Sequence, residues 1–207
     1  MQKQNQPDTV FDALKINLPT PELSAQYCHV FSQWLFDNYG NDNVLIATIH
    51  GSYLYGTAHK DSDLDCYVVT LHGGNTQKEF ITDNGYVIDI RCNSLERYVE
   101  LLGYGAHQAV EAFFSPYAVW NKDSSWYPYL ASQRINLAKF AKKCLSAAES
   151  FRERAQLRPD KSEKLLSHAT RLEHKVEYVL DNNGAYSPIY KKFHETSSKI
   201  VQRNSQY

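Results

Sequence analysis

The residues most able to do chemistry lie between His50 and Val69, in the run HGSYLYGTAHKDSDLDCYVV. Gly51 and Ser52 follow a short apolar run. After ten intervening residues come Asp63 and Asp65, and further on Asp89 and Arg91. A glycine at a turn leaves room for backbone N–H groups to meet a phosphate, because no Cβ obstructs the approach. The Ser52 hydroxyl adds a donor. Two carboxylates side by side repel each other unless a cation sits between them. Mg²⁺ suits such a pair, since it binds to one or two carboxylates together with substrate phosphates. A third carboxylate on a neighbouring strand allows two metals about 3.5–4 Å apart, the spacing used for in-line phosphoryl transfer. Asp89 would then hold the metal that activates an attacking hydroxyl, or take its proton. Singly, each fragment is commonplace: Gly-Ser marks many turns, and Asp-x-Asp marks many solvated strand edges. Their order and spacing carry the reading.

These side chains need strands to aim them. Val44–His50 (VLIATIH) is a mostly apolar run that suits a buried strand. Asp63–Thr70 alternates, with Asp63, Asp65, Tyr67 and Val69 on one face and Leu64, Cys66 and Val68 on the other. Gly85–Arg91 (GYVIDIR) reads as a third strand whose Val87, Asp89 and Arg91 share a face. Thr20-Pro21-Glu22 opens a helix that carries Leu23, Tyr27, Phe31, Trp34 and Leu35 and stops at Gly40. Ser94 caps a further helix bearing Leu95, Tyr98, Val99 and Leu102.

From about Ser124 the pattern turns helical. Leu137, Phe140, Cys144, Ala148, Phe151 and Ala155 recur at steps of three or four until Pro159. Asp160 and Glu163 read as a capping box for a helix that buries Leu165, Ala169, Leu172, Val176 and Val179 and ends before Gly184. On that helix Lys164, His168, Arg171 and Lys175 form a basic stripe, which faces either an anionic substrate or solvent. The fold class is α+β: a small mixed sheet flanked by helices, followed by a C-terminal helical bundle. The expected domains are a tail at 1–20, an α/β domain at 21–120 and a helical domain at 121–207.

Composition narrows the function classes. The 207 residues are 43% hydrophobic and carry a net charge of −1, so a sizeable core is available. Met1–Leu130 holds 7 Lys and Arg against 15 Asp and Glu, a net of −8, whereas Ala131–Tyr207 nets +7. An acidic metal site facing a basic anion-binding surface would show this split, and so would two oppositely charged domains that dock. No apolar run approaches the roughly 18–20 residues that span a bilayer. The polar start MQKQNQP does not read as a secretory signal. Cys28, Cys66, Cys92 and Cys144 form no CxxC pair, which favours free thiols in a reducing compartment, the cytoplasm.

Gly-Ser, ten residues, Asp-x-Asp, then a later strand Asp resembles the polymerase β-type nucleotidyltransferase superfamily. The nearer likeness is to its bacterial and phage branch with GSxxYG followed by SDxD, matched by Gly51, Ser52, Tyr55, Gly56 and by Ser62, Asp63, Asp65. Tyr53 departs from it, standing where a polar or basic residue is expected. The resemblance implies transfer of a nucleoside monophosphate from an NTP, with pyrophosphate leaving. It implies Mg²⁺ or Mn²⁺ as cofactor, held by Asp63, Asp65 and Asp89, which are also the catalytic residues. The candidate nucleotide-binding set is Gly51, Ser52, Tyr55, Lys60, Ser62 and Arg91, with His168 and Arg171 from the basic stripe. The acceptor is open among a nucleic-acid hydroxyl, a protein side chain and a small molecule, and the basic half mildly favours RNA, including tRNA. Two alternatives stand beside catalysis of this kind: an NTP-binding module without turnover, and a toxin–antitoxin enzyme that modifies a partner protein.

Overall fold

The computed structural model describes residues 31, 33–54, 58–59, 62–73, 75–81, 85, 87–115 and 118–181. Among these, the residues of Met1–Tyr98 with Ser115–Ser132 form one compact unit. Those of Val99–Phe114 with Gln133–Tyr207 form a second.

The first unit is built on a five-stranded mixed sheet in the order β3-β4-β2-β1-β5. The strands are β1 (Val44–Ile49), β2 (Leu64–Thr70), β3 (Thr76–Ile81), β4 (Val87–Ser94) and β5 (Val119–Trp120). β1 runs antiparallel to β2, and β2 runs parallel to β4, with Asp65 opposite Asp89 and Tyr67 opposite Arg91. The alternation expected of β2 holds. Leu64, Cys66 and Val68 join Ile88, Ile90 and Cys92 in one buried layer, packed against Phe31 and Leu35. Each fully buried aliphatic side chain there contributes about 1.5–3 kcal/mol. Phe31 and Leu35 lie on α1 (31 and 33–39), which ends where the Gly40 N–H donates to the Phe36 carbonyl and Gly40 turns left-handed at φ 69°. The proposed start of that helix at Thr20 lies outside the described residues. The opposite sheet face presents Asp65, Tyr67, Asp89 and Arg91, and Tyr98 packs over its Tyr67.

In the second unit, α4 (His107–Phe114), α6 (Leu137–Leu157) and α7 (Ser162–Asp181) supply the apolar faces. Phe140, Cys144, Ala148 and Ala155 of α6 are buried, as are Leu165, Ala169, Leu172 and Val176 of α7, following the spacing in the sequence. Gly105 takes a left-handed turn (φ 68°) where a Cβ would lie 2.4 Å from the Phe140 backbone nitrogen, so only glycine lets α6 come this close. Asn136 caps α6 by accepting from the Lys139 N–H at 3.0 Å. Arg158 ends it before Pro159, which keeps its neighbour out of the helical region (φ −130°, ψ 76°).

Several elements differ from the sequence expectation. β3, β5, α4 and α5 (Tyr127–Ala131) were not anticipated. β3 reads TQKEFI, and β5 has two residues; neither is a long apolar or strictly alternating run. The Asp160 capping box does not form, because the Asp160 carboxylate accepts from Arg158 at 3.0 and 3.1 Å and α7 begins two residues later. No helix among the described residues is long and apolar enough to cross a membrane.

Candidate active site

β1 ends at Ile49, and the chain turns at once through His50 and Gly51 into the single turn α2 (Gly51–Leu54). Gly51 has φ 59°, and a Cβ built on it would lie 1.9 Å from Asp65 Oδ2. The Asp65 carboxylate therefore packs directly against the bare Cα of the turn. The His50 N–H donates to the Asp65 carbonyl at 2.7 Å, which pins the turn to β2. Glycine is required here twice, by the left-handed backbone and by the approach of a charged side chain. Ser52 follows, half-buried, in α2.

Tyr53, the departure from the expected pattern, is a core residue only 5% exposed, and its hydroxyl donates to the Ser62 carbonyl at 3.5 Å. It braces the chain that leads into β2 and is not available to stack on a base. Ser62 serves the same segment. Its hydroxyl accepts from the His59 N–H at 3.0 Å, and its own N–H donates to the His59 carbonyl at 2.9 Å. Asp63 follows immediately, one residue before β2. Tyr55, Gly56 and Lys60 lie outside the described residues.

Asp65 and Asp89 are register neighbours on the parallel pair β2–β4, where strand spacing is about 4.8 Å. Asp89 Oδ2 accepts from Gln77 Nε2 at 2.9 Å, whereas Oδ1 is shut away from solvent with no hydrogen-bond partner. Arg91, two residues along the same face, donates from Nη2 to Gln77 Oε1 at 3.4 Å. Tyr67 stands opposite Arg91, between the His50 and Tyr98 rings. Burial pushes its phenol far above the ordinary value, against the pull of Arg91 and Arg97, so it stays neutral.

A divalent cation needs hard oxygen donors. The donors are carboxylate oxygens, which suit a hard ion. A buried carboxylate oxygen without a partner, as at Asp89 Oδ1, is costly unless a cation or donor meets it. Among the described residues no group of three or more His, Cys, Asp or Glu side chains is gathered as a ready-made metal site. Asp63, Asp65 and Asp89 are thus not gathered as the three-carboxylate cluster expected from the sequence, and a pair such as Asp65 and Asp89 would leave the rest of a Mg²⁺ shell to substrate phosphates and water. The residues fit such an ion in chemistry.

His168 and Arg171 lie on α7, in the second unit. The His168 ring stacks on Phe151 at 5.3 Å, and its Nδ1 accepts from Arg171. Burial first, and then the charges of Arg171, Lys164 and Lys175, push the imidazole down to about 4. It is neutral at physiological pH and supplies no positive charge to a phosphate. Lys175 departs from the basic stripe. It is 4% exposed and ion-paired with Glu111 of α4, itself 2% exposed. A buried pair holds two helices together here, where the spacing alone left a choice between substrate and solvent. The sequence reading missed Gln77, whose signal was faint: one amide on a strand of mixed character.

Residues 38–113 match the model of the nucleotidyltransferase domain family. The matched segment contains Gly51, Ser52, Asp63, Asp65, Asp89 and Arg91, and it is consistent with the resemblance to the polymerase β-type superfamily. It supports nucleotidyl transfer in general terms. No curated protein matches the chain.

Proposed function

We propose that the nucleotidyltransferase domain at residues 38–113 is a metal-dependent enzyme that moves a nucleoside monophosphate from an NTP to a hydroxyl acceptor. The observation that carries this is the meeting of the Gly51 turn with the Asp65 carboxylate, beside Asp89 with its buried, unpartnered oxygen. Asp63, Asp65 and Asp89 are the residues that would hold Mg²⁺ or Mn²⁺. When bound, such an ion supplies charge neutralisation for the phosphates and lowers the pKa of the attacking hydroxyl. Gly51 and Ser52 receive the triphosphate against the backbone. Asp89 either helps hold the ion beside the acceptor hydroxyl, whose proton then passes to water, or takes that proton itself; a new O–P bond forms at the α-phosphorus, and the bond to the departing pyrophosphate breaks. Tyr55, Lys60, Ser62 and Arg91 complete the nucleotide site. RNA is the favoured acceptor class, on the net +7 of Ala131–Tyr207. The buried free thiols of Cys66, Cys92 and Cys144 support a reducing compartment, the cytoplasm.

The test is incubation of the full chain with each α-labelled NTP, Mg²⁺, and total RNA and protein from a host extract. Label should enter one fraction with release of pyrophosphate, and an Asp63→Asn, Asp65→Asn protein should transfer none. NTP binding without pyrophosphate release in any fraction would favour the module without turnover. Label in a single protein would favour the enzyme that modifies a partner.

A further inference from the structure

We infer that Gln77 is a positioning residue for Asp89, a conclusion that rests on the reading of Asp89 as a metal-holding carboxylate. Gln77 stands on β3 opposite Arg91 in the antiparallel β3–β4 pair. Its amide faces two groups at once: Nε2 donates to Asp89 Oδ2 at 2.9 Å, and Oε1 accepts from Arg91 Nη2 at 3.4 Å. Only this orientation of the amide satisfies both, since a carboxylate accepts and a guanidinium donates. An aspartate carboxylate swings broadly about its last torsion. A single donor on Oδ2 fixes its plane, and Oδ1 is then the oxygen left for a cation, buried and without a partner.

The choice of a neutral amide matters. A lysine or arginine reaching Oδ2 would fix the same plane but would cancel the charge that attracts a divalent ion. Glutamine orients the carboxylate and leaves that charge whole. Through its other end it also holds Arg91 at a set place on the same sheet face. Gln77 is exposed on an outer strand, so its two hydrogen bonds add little to the stability of the fold. Its loss should register at the metal and leave unfolding nearly unmoved.

The experiment uses the full chain and Mn²⁺ alone, followed by the electron paramagnetic resonance of the free ion. Gln77→Ala and Gln77→Leu should each weaken Mn²⁺ binding about 10–100-fold, the usual effect of removing a group that orients a metal ligand. Melting temperatures should stay close to wild type. Asp89→Asn should weaken binding at least as much. If Asp89→Asn leaves Mn²⁺ affinity intact, or wild type binds no Mn²⁺, the metal reading of Asp89 fails and the role of Gln77 with it. If Asp89→Asn weakens binding while both Gln77 variants bind as wild type, or lose only melting temperature, the role of Gln77 alone is overturned. The side-chain amide resonances of Gln77, identified by their loss in Gln77→Leu, give a second measure. They should shift in Asp89→Asn and broaden on adding Mn²⁺ to wild type. Resonances that do neither overturn the bridge.

Discussion

Replacing Gly51 with alanine probes the contact on which the site turns. The added methyl meets two costs. Alanine held at φ 59° pays the left-handed backbone strain, about 1–2 kcal/mol. Its Cβ would also lie 1.9 Å from Asp65 Oδ2 and 2.8 Å from Cγ, so the carboxylate must move. Forcing a short side chain off its preferred rotamer adds about 0.5–1.5 kcal/mol. The total loss in wild type is therefore about 2–3 kcal/mol. In an Asp65→Ala background the carboxylate is gone and only the backbone cost should remain. Urea unfolding of the four proteins of this cycle measures the difference, which should be about 0.5–1.5 kcal/mol of coupling. A Gly51→Ala cost that is the same in both backgrounds would refute the packing of Asp65 on the turn. A cost below about 0.5 kcal/mol in wild type would refute the strain as well.

Other outcomes follow from the second unit. His168 has a folded-state pKa near 4 against 6.5 when free. The unfolded chain therefore takes up the proton first, and the stabilisation is complete above about pH 6.5 and lost as pH falls towards 4. The gap sets a ceiling of about 3 kcal/mol, and screening at the partly exposed ring reduces this to about 1–2 kcal/mol. Unfolding midpoints at pH 7 and pH 4.5 should differ less in His168→Gln than in wild type. Lys175→Met takes the lysine from the buried Glu111 carboxylate and leaves His107 Nδ1 beside it at 3.7 Å; it should cost about 3–5 kcal/mol in urea unfolding, whereas Lys175→Met with Glu111→Leu should recover most of it. Burial pushes the Cys144 thiol up to about 12. In a Cys28→Ser protein the folded chain should resist a disulfide reagent at pH 8 and react only on unfolding.

The parts of the fold that announce themselves in the sequence are those with strong periodicity or sharp punctuation. β1 is a continuous apolar run, β2 alternates cleanly, and Gly40 and Pro159 mark ends by backbone geometry. β3 is hidden because it lies at the sheet edge with mixed polar residues. α4 and α5 are hidden because they are short. In the site, Gly51, Asp65 and Asp89 were legible as types and spacing, and the register of β2 and β4 then places the two aspartates side by side. Tyr53 is a core tyrosine with a hydrogen-bonded hydroxyl, the more ordinary duty of such a residue, but its partner, the Ser62 carbonyl, lies across the loop where no local pattern shows it. The same is true of Lys175. Periodicity puts it on the basic stripe, but its fate depends on Glu111, 64 residues away, which no local pattern reveals.

That distance bears on how the protein can be divided. The matched segment closes at residue 113 and includes Glu111, but the cation that answers this carboxylate is on α7. A gene fragment cut at the edge of the segment would carry the buried Glu111 carboxylate without Lys175, and α4 would be parted from α6, on which it packs. The segment is thus not a cassette that can be moved intact to another protein. Any exchange between relatives, by recombination or at the bench, must carry Glu111 and Lys175 together or change both at once.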